Sequence, residues 1–121
     1  MTATLDHRQP VARPQVVTTV NNDGVFGWRM LAANGRPLAA SVQLFPDADT
    51  AEAAFQALVQ ESDLAREISH PPSGVGWTWL TLDPDGTAVA MAARDFGRRD
   101  ACLRSYEQFL HTLRTFAPLA Y

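Results

Sequence analysis

The chain has one cysteine and three histidines, which are the residue types that most often act as nucleophiles, bases or metal ligands. Cys102 and His111 are nine positions apart in one helical pattern, which places them about 180° apart around the helix axis, so they cannot face one ligand. Within that helical pattern Cys102 falls on the side that carries the apolar residues, so it is predicted to fill the core. His7 and His70 have no partner at a ligand spacing. The sequence therefore predicts no catalytic, cofactor-binding or metal site.

Arginines near the end of the chain offer a second kind of chemistry, the binding of anions. Residues 94–114 contain five arginines and three acids, a balance of +2, whereas residues 47–67 contain one arginine and six acids, a balance of −5. One interpretation is that each of these two segments contains a helix and that the solvated faces of the two helices attract each other. Arg104 would also pair with Asp100 at i,i+4 within the second helix. The other interpretation is a patch that binds an anion or a nucleic-acid phosphate, although the net charge of −3 argues against nucleic acid. The candidate patch consists of Arg94, Arg98, Arg99 and Arg104.

Aromatic residues in the second half of the chain offer a third candidate, a surface on which a planar ligand could stack. The three residues are Trp77, Trp79 and Tyr106, and they lie where a pocket between two halves of the molecule would form. Under this hypothesis the protein is a small-molecule binder or an enzyme.

The two halves of the chain match each other at an ungapped offset of 51 positions. The matched pairs are Trp28 and Trp79, Leu31 and Leu82, Gly35 and Gly86, Ala39 and Ala90, Phe45 and Phe96, and Asp49 and Asp100. At 121 residues the chain is too short for two ordinary domains, so the halves are expected to share one core. The sequence predicts a flexible arm over residues 1–14 and one domain over residues 15–121, made of two pseudo-symmetric repeats at about 15–67 and 68–121.

Each half contains strand patterns. A β-branched run over residues 16–20 predicts a first strand, and two alternating segments around Asn34-Gly35 predict a hairpin. In the second half, Pro84 is compatible with a three-residue loop in which Asp83 lies opposite Thr87. That register places Trp79 opposite Met91. The second half shows no clear counterpart of the first strand.

The same register assigns the hairpin residues to two faces of a sheet. The predicted core face contains Phe26, Trp28, Met30, Leu38, Ala40 and Val42, with Trp77, Trp79, Val89, Met91 and Ala93. The predicted second face contains Arg29, Leu31, Ala39, Ser41, Leu80, Leu82, Ala90 and Ala92. The second face is apolar for a surface in water, so we expect it to contact a protein partner or a second subunit if the helices cover only the other face.

A helix is predicted after each hairpin. Asp49 and Glu52 resemble a capping box at the start of the first helix, and Asp100 is the equivalent cap of the second. The apolar stripes are Ala51, Phe55, Leu58, Val59 and Ser62 in the first helix, and Cys102, Tyr106, Phe109, Leu110 and Leu113 in the second. The sequence therefore predicts an α+β fold, in which two tandem ββ(β)α repeats share one antiparallel sheet and two helices pack on one face.

The stretch from Phe26 to Ser41, FGWRMLAANGRPLAAS, resembles the YegP-like family of small bacterial domains of unknown function, in a tandem-repeat form. In that family an aromatic-rich strand leads into Ala-Ala-Asn-Gly and then into a strand that ends near Ala-x-Ser. The resemblance covers about residues 16–59 and implies one shared sheet with helices against it. It implies no catalytic residues.

Composition narrows the setting in which the protein is expected to work. A single cysteine excludes an intrachain disulfide, and no apolar run approaches the length of a membrane span. Asp6, His7 and Arg8 stand where a signal peptide would need an apolar stretch. The sequence predicts a cytoplasmic, non-catalytic binding or protein-interaction module. The first alternative is a small-molecule binder or enzyme with a pocket between the repeats. The second is binding of an anion or a nucleic-acid phosphate by the arginine patch.

Overall fold

The computed structural model describes residues 12–117. In chain order its elements are β1 (Gln15–Val20), β2 (Phe26–Leu31), β3 (Pro37–Ser41), α1 (Ala48–Gln60), β4 (Ala65–Ser69), β5 (Thr78–Leu82), β6 (Ala88–Ala92) and α2 (Arg99–Arg114). The order β-β-β-α therefore occurs twice, and the fold is α+β, as predicted. Most of the predicted arm, residues 1–11, lies outside the described residues, and residues 12–14 precede β1 without regular structure.

The six strands form one open antiparallel sheet in the order β1-β2-β3-β6-β5-β4. Its centre is the pairing of β3 with β6, in which Ala40 lies opposite Met91. The edge strand β4 is the one that sequence reasoning did not find, because its sequence, AREIS, contains only Ile68 as a strong strand former. β4 nevertheless pairs with β5 along its whole length.

Both helices pack on one face of the sheet, where each covers a tryptophan. The Trp28 ring on β2 meets Phe55 of α1 edge-on, with the ring centroids 5.1 Å apart, and Trp79 on β5 meets Tyr106 of α2 in the same way at 5.3 Å. The helices are also joined directly, since Arg114 donates a hydrogen bond of 3.2 Å from Nη1 to the carbonyl oxygen of Val59. Each large side chain buried in this layer stabilises the fold by about 1.5 to 3 kcal/mol.

The predicted loop of the second hairpin is confirmed, but the strand register predicted beyond that loop is wrong by one residue. The Asp83 N–H donates to the carbonyl oxygen of Thr87 at 2.9 Å, as a three-residue loop requires. A β-bulge at Val89 then adds one residue to β6, so that Thr81 lies opposite Ala90. Because strand side chains alternate between faces, a shift of one residue moves the following side chains to the other face.

An equivalent bulge at Leu38 places Met30 opposite Ala39 in the first hairpin. Four members of the predicted second face therefore lie on the helix side instead, namely Ala39, Ser41, Ala90 and Ala92, and the first three of these are buried. Ala40 and Met91, predicted to lie in the core, point away from the helices. Sequence patterns could not show this exchange, because β3 (PLAAS) and β6 (AVAMA) carry mostly small or apolar residues on both faces, so there is little alternation to reveal a bulge.

The helix caps also differ from the prediction. Asp47 rather than Asp49 caps α1, and its carboxylate accepts hydrogen bonds of 2.7 Å from the side-chain hydroxyl and the backbone N–H of Thr50, which lower the pKa of Asp47. α1 ends at Gln60, so Ser62 lies beyond it. Asp49 is in the first turn, where an acidic side chain still interacts favourably with the helix dipole.

At α2 the cap position belongs to Arg98, whose side chain makes no capping hydrogen bond, and Asp100 lies in the first turn. The predicted apolar stripe is confirmed: Cys102, Tyr106, Phe109 and Leu113 are buried, and Leu110 is half-buried. Neither described helix has the length and apolar content needed to cross a bilayer.

Candidate functional site

The groups most able to do covalent or metal chemistry do not converge. Within residues 12–117, no three His, Cys, Asp or Glu side chains are grouped so that they could hold a metal ion. Cys102 is fully buried, and burial raises the pKa of its thiol. His111 is exposed on α2. The Nδ1 atom of His70 donates a hydrogen bond of 2.8 Å to the carbonyl oxygen of Gly76.

The predicted arginine patch is divided among different partners. Arg98 and Arg104 bind the carboxylate of Asp100 at 2.9 and 3.2 Å, and their hydrogen bonds hold its pKa well below the usual range. The predicted i,i+4 pair between Arg104 and Asp100 is therefore confirmed. Arg99 lies over the ring of Trp77, 5.9 Å from its centroid. Arg94, the fourth member of the patch, lines a cleft on the helix side of the sheet.

The three aromatic residues predicted to stack on a ligand lie mainly in the core. Trp79 is fully buried and Tyr106 is 3% exposed, so neither ring offers a face to a ligand, which corrects the prediction for these two residues. The Trp79 indole Nε1 donates to the Ser105 hydroxyl at 3.1 Å, and burial raises the pKa of the Tyr106 phenol. Trp77 is half-buried, with its ring centroid 4.3 Å from that of His70.

Among the clefts that residues 12–117 form on the helix side of the sheet, two lie where a hairpin loop of one half approaches the helix of the other. The larger, which we call the arginine cleft, has a volume of about 510 Å³ and is lined by Ala32, Asn34, Arg36, Pro37, Leu38, Arg94, Phe96, Ser105 and Gln108. The smaller, which we call the acidic cleft, has a volume of about 230 Å³ and is lined by Trp28, Gln43, Phe45, Ala54, Ala57, Leu58, Glu61, Leu64, Asp83 and Val89. Six residues of each cleft match six of the other at the offset of 51 positions.

Each polar side chain that the described residues contribute to the arginine cleft can donate a hydrogen bond. Among the described residues, Arg36 and Arg94 have no carboxylate within 4 Å, since the ion pairs found there involve other arginines. The Asn34 Oδ1 atom accepts from the backbone N–H of Arg36 at 2.9 Å, which leaves its amide group free to donate. The Ser105 oxygen already accepts from an indole, so its hydroxyl hydrogen remains available. The amide of Gln108 completes the polar lining.

An apolar floor supports these donors. The Cζ atom of Arg94 lies 4.4 Å from the ring centroid of Phe96, a cation–π contact that favours this position of the guanidinium over the ring. Phe96 is 7% exposed, and its backbone exchanges hydrogen bonds of 2.7 and 2.8 Å with Trp77. The bulge in β3 directs Leu38 toward the same cleft, beside Pro37. β-Bulges are common beside functional sites because they redirect a side chain in this way.

The acidic cleft has the opposite polar character. Gln43 stands at the position that matches Arg94, while Ala54 and Ala57 match the serine and glutamine donors of the other cleft. Its charged members are Glu61 and Asp83. The Asp83 Oδ1 atom accepts hydrogen bonds of 2.9 Å from two backbone N–H groups of its own loop.

Sequence reasoning identified one polar residue of the arginine cleft, Arg94, and missed the other four. The offset of 51 positions contains a signal that could have found two of these four, Ser105 and Gln108. Matched positions that differ in polarity, such as Ser105 against Ala54 and Gln108 against Ala57, mark where one half departs from the common scaffold.

The fold defines a class: small α+β domains in which an open six-stranded antiparallel sheet carries two helices on one face. Two solved structures share it. The solution NMR structure of YegP from E. coli, a protein of unknown function, matches with a TM-score of 0.68 at 12% identity, over 88% of this chain and 90% of that chain. The solution NMR structure of a UPF0339 protein from Shewanella oneidensis matches with a TM-score of 0.67 at 11% identity, over 86% and 87%.

No family model matches the sequence, and no curated protein matches it either. At 11 to 12% identity the two structural matches show the fold. The protein is therefore YegP-like in fold, as the resemblance of its sequence implied. The origin of the two halves as a tandem repeat stays a prediction.

Proposed function

We propose that the protein is a non-catalytic binding module and that the arginine cleft is its ligand site, with a small organic anion as the ligand. One observation carries the proposal: two arginines without a carboxylate partner among the described residues, and three neutral donors, line one cleft above an apolar floor.

The donor set determines the chemistry of the ligand. Hydrogen bonds from guanidinium groups to an oxyanion are short and about twice as strong as neutral ones, and a planar guanidinium matches a carboxylate or a phosphate. Asn34, Ser105 and Gln108 add donors without adding a charge that would oppose the anion. A volume of about 510 Å³ lies within the range of small-molecule sites. These properties support a phosphate monoester or a carboxylate as the bound group.

The apolar floor supports a ligand that is more than an inorganic ion. Pro37 and Leu38 line the cleft beside the donors, so an apolar or ring-shaped part of the ligand would leave water there. The Phe96 ring below them is 7% exposed and already contacts Arg94, so it supports the cleft rather than the ligand. A ligand with both parts uses the whole cleft. Inorganic phosphate uses only its polar side.

The lining also supports binding rather than catalysis. General bases and activated nucleophiles depend on His, Cys, Asp, Glu or a comparable group within hydrogen-bonding distance. Among residues 12–117, none of these four residue types lines the arginine cleft. The Ser105 hydroxyl accepts a hydrogen bond from Trp79, and the described part of the chain places no base in the cleft to take its proton. We also propose a cytoplasmic location, which the single cysteine supports and cell fractionation would test.

Isothermal titration calorimetry with phenyl phosphate, benzoate and inorganic phosphate tests the proposed function. Arg94→Gln introduces the side chain that the acidic cleft has at the matching position, and Arg36→Gln removes the second charge. Each substitution is expected to weaken binding of phenyl phosphate about tenfold or more, because a hydrogen bond to a charged group contributes about 1.5 to 3 kcal/mol. Arg98→Gln is the matched control, since Arg98 is exposed and already bound to Asp100.

Phenyl phosphate and benzoate separate the possible ligand types, and inorganic phosphate shows what the polar side of the cleft binds alone. Tighter binding of phenyl phosphate than of benzoate indicates a phosphate ester, and the reverse order indicates a carboxylate. Either order supports the proposal if both cleft variants bind more weakly than the control. The proposal is wrong if no probe binds, or if the two cleft variants bind as well as Arg98→Gln does.

A further inference from the structure

The face of the sheet that points away from the helices, which we call the open face, carries one continuous row of side chains across all six strands. Directly paired residues on neighbouring strands point to the same face. Across the sheet, from the β1 edge to the β4 edge, the row consists of Val17, Arg29, Ala40, Met91, Leu80 and Glu67. The centre of the row is apolar, and Met91 is 39% exposed.

The charges of the open face lie toward the two ends of this row. Among the strand residues that point to this face, Arg29 and Glu67 are the charged ones. They are on the second and the sixth strand of the sheet, about 19 Å apart at 4.8 Å per strand, so they cannot bind each other within one chain. Both are exposed. The face therefore has a positive end, an apolar middle and a negative end.

We propose that the open face binds a second copy of this chain, face to face, independently of the arginine cleft. In this dimer a twofold axis runs between the two sheets, parallel to the central strands β3 and β6. Rotation about this axis reverses the order of the second copy's row relative to that of the first. Arg29 of each copy then lies near the partner's Glu67, and the apolar middles meet. Sheets pack about 10 Å apart, a gap that an arginine and a glutamate together can span. The twofold symmetry forms each charge contact twice.

The charges also select this arrangement over the alternative. A rotation about an axis parallel to the row would place each Arg29 against the same residue of the other copy, and like charges across an interface are repulsive. The strands present about 400 Å² of sheet surface per copy, as estimated from strand spacing and length. This area is below the roughly 800 Å² per partner of a standard interface, so the dimer is expected to be weak and reversible.

Sedimentation velocity across a concentration series, with a charge exchange between the two ends, tests the inference. Arg29→Glu and Glu67→Arg are each expected to weaken dimerisation about tenfold or more, because each places like charges together twice. The double variant restores opposite charges and is expected to return the dissociation constant to near its original value. Arg66→Glu is the control, since Arg66 neighbours Glu67 in sequence but lies on the helix side, 5.9 Å from the Tyr106 ring centroid.

Restoration in the double variant supports the proposal, provided that the control dimerises normally. A chain that stays monomeric up to about 1 mM overturns it, because a contact with a weaker dissociation constant contributes less than about 4 kcal/mol. A dimer that neither single variant weakens also overturns it, since another surface, such as an edge strand, would then form the contact. These outcomes are independent of anion binding, so the two proposals can fail separately.

Discussion

The arginine cleft and the acidic cleft occupy matching places in the two halves of the molecule, yet their charged residues have opposite signs. Both have a phenylalanine at the base, Phe96 in one and Phe45 in the other, and both have an apolar residue contributed by a β-bulge. The difference lies in a few side chains, above all Arg94 against Gln43. The fold supplies the shape of a cleft, and side chains on it determine the ligand.

The two clefts also differ in how the backbone holds the phenylalanine. Gly76 adopts a positive φ of 85° and passes so close to Phe96 that an added Cβ would lie 2.5 Å from its carbonyl oxygen. The matching residue in the other half is Val25, which precedes β2. Phe96 is buried and Phe45 is half-buried. The arginine cleft therefore has the more tightly held floor.

The largest expected effect comes from breaking that floor. Gly76→Ala is expected to reduce the free energy of unfolding by about 2 to 4 kcal/mol, because it combines an unfavourable φ with a clash against backbone. Gly74→Ala is the control, since Gly74 has a positive φ of 77° but open space around it, and it should cost about 1 to 2 kcal/mol. Chemical denaturation measures both. Equal losses would show that the close approach to Phe96 is unimportant.

A second experiment transfers anion binding from one cleft to the other. The triple variant Gln43→Arg, Glu61→Gln and Asp83→Asn gives the acidic cleft an arginine and removes its acids, while asparagine keeps the oxygen that accepts the loop hydrogen bonds. Calorimetry is expected to detect a second phenyl phosphate site. We expect this site to bind about tenfold more weakly than the first, because Ala54 and Ala57 provide no donors.

The control for this transfer is the double variant that lacks the new arginine, Glu61→Gln with Asp83→Asn. It should bind phenyl phosphate at the arginine cleft alone. An unchanged stoichiometry in the triple variant would contradict the view that side chains, rather than the rest of the scaffold, determine the ligand.

The smallest expected effect is on the pH dependence of the unfolding free energy, through the ion pairs that Arg98 and Arg104 form with Asp100. Because Arg98 and Arg104 lower the pKa of Asp100 in the folded chain, this interaction stabilises the fold above the ordinary aspartate pKa of about 4. Its contribution is lost as the pH falls through the lowered pKa of the folded state. The difference in unfolding free energy between the original chain and Asp100→Asn is therefore expected to be positive at pH 7 and to shrink below about pH 4. A difference that grows in acid would contradict this.

The sequence predicted the architecture well because the core is encoded by large, regularly spaced side chains. Trp28 and Trp79 identify the central hairpins, and the stripes through Phe55 and Tyr106 identify the helices that cover them. The three-residue loop before Thr87 was also predicted, since Pro84 restricts the choice of turn. These features depend on local steric rules that operate within a few residues.

The same reasoning failed where one residue or one tertiary contact decides the outcome. The bulges at Leu38 and Val89 exchange the faces of the residues that follow, and the alternating pattern does not reveal them. β4 was missed because a charged edge strand resembles a loop in sequence. Arg36 was missed because the cleft joins a hairpin loop to a distant helix, a proximity that arises only from the order of the strands.

The most direct test of the central claim is a titration with phenyl phosphate followed by 1H–15N NMR spectra of the original chain. If the arginine cleft holds the anion, the backbone amide signals of Asn34, Arg36, Arg94 and Ser105 shift together along one binding curve, while those of Gln43, Ala54 and Asp83 in the acidic cleft stay in place. Equal shifts in the two clefts, or shifts confined to the surface around Arg98 and Arg104, would contradict the proposed site.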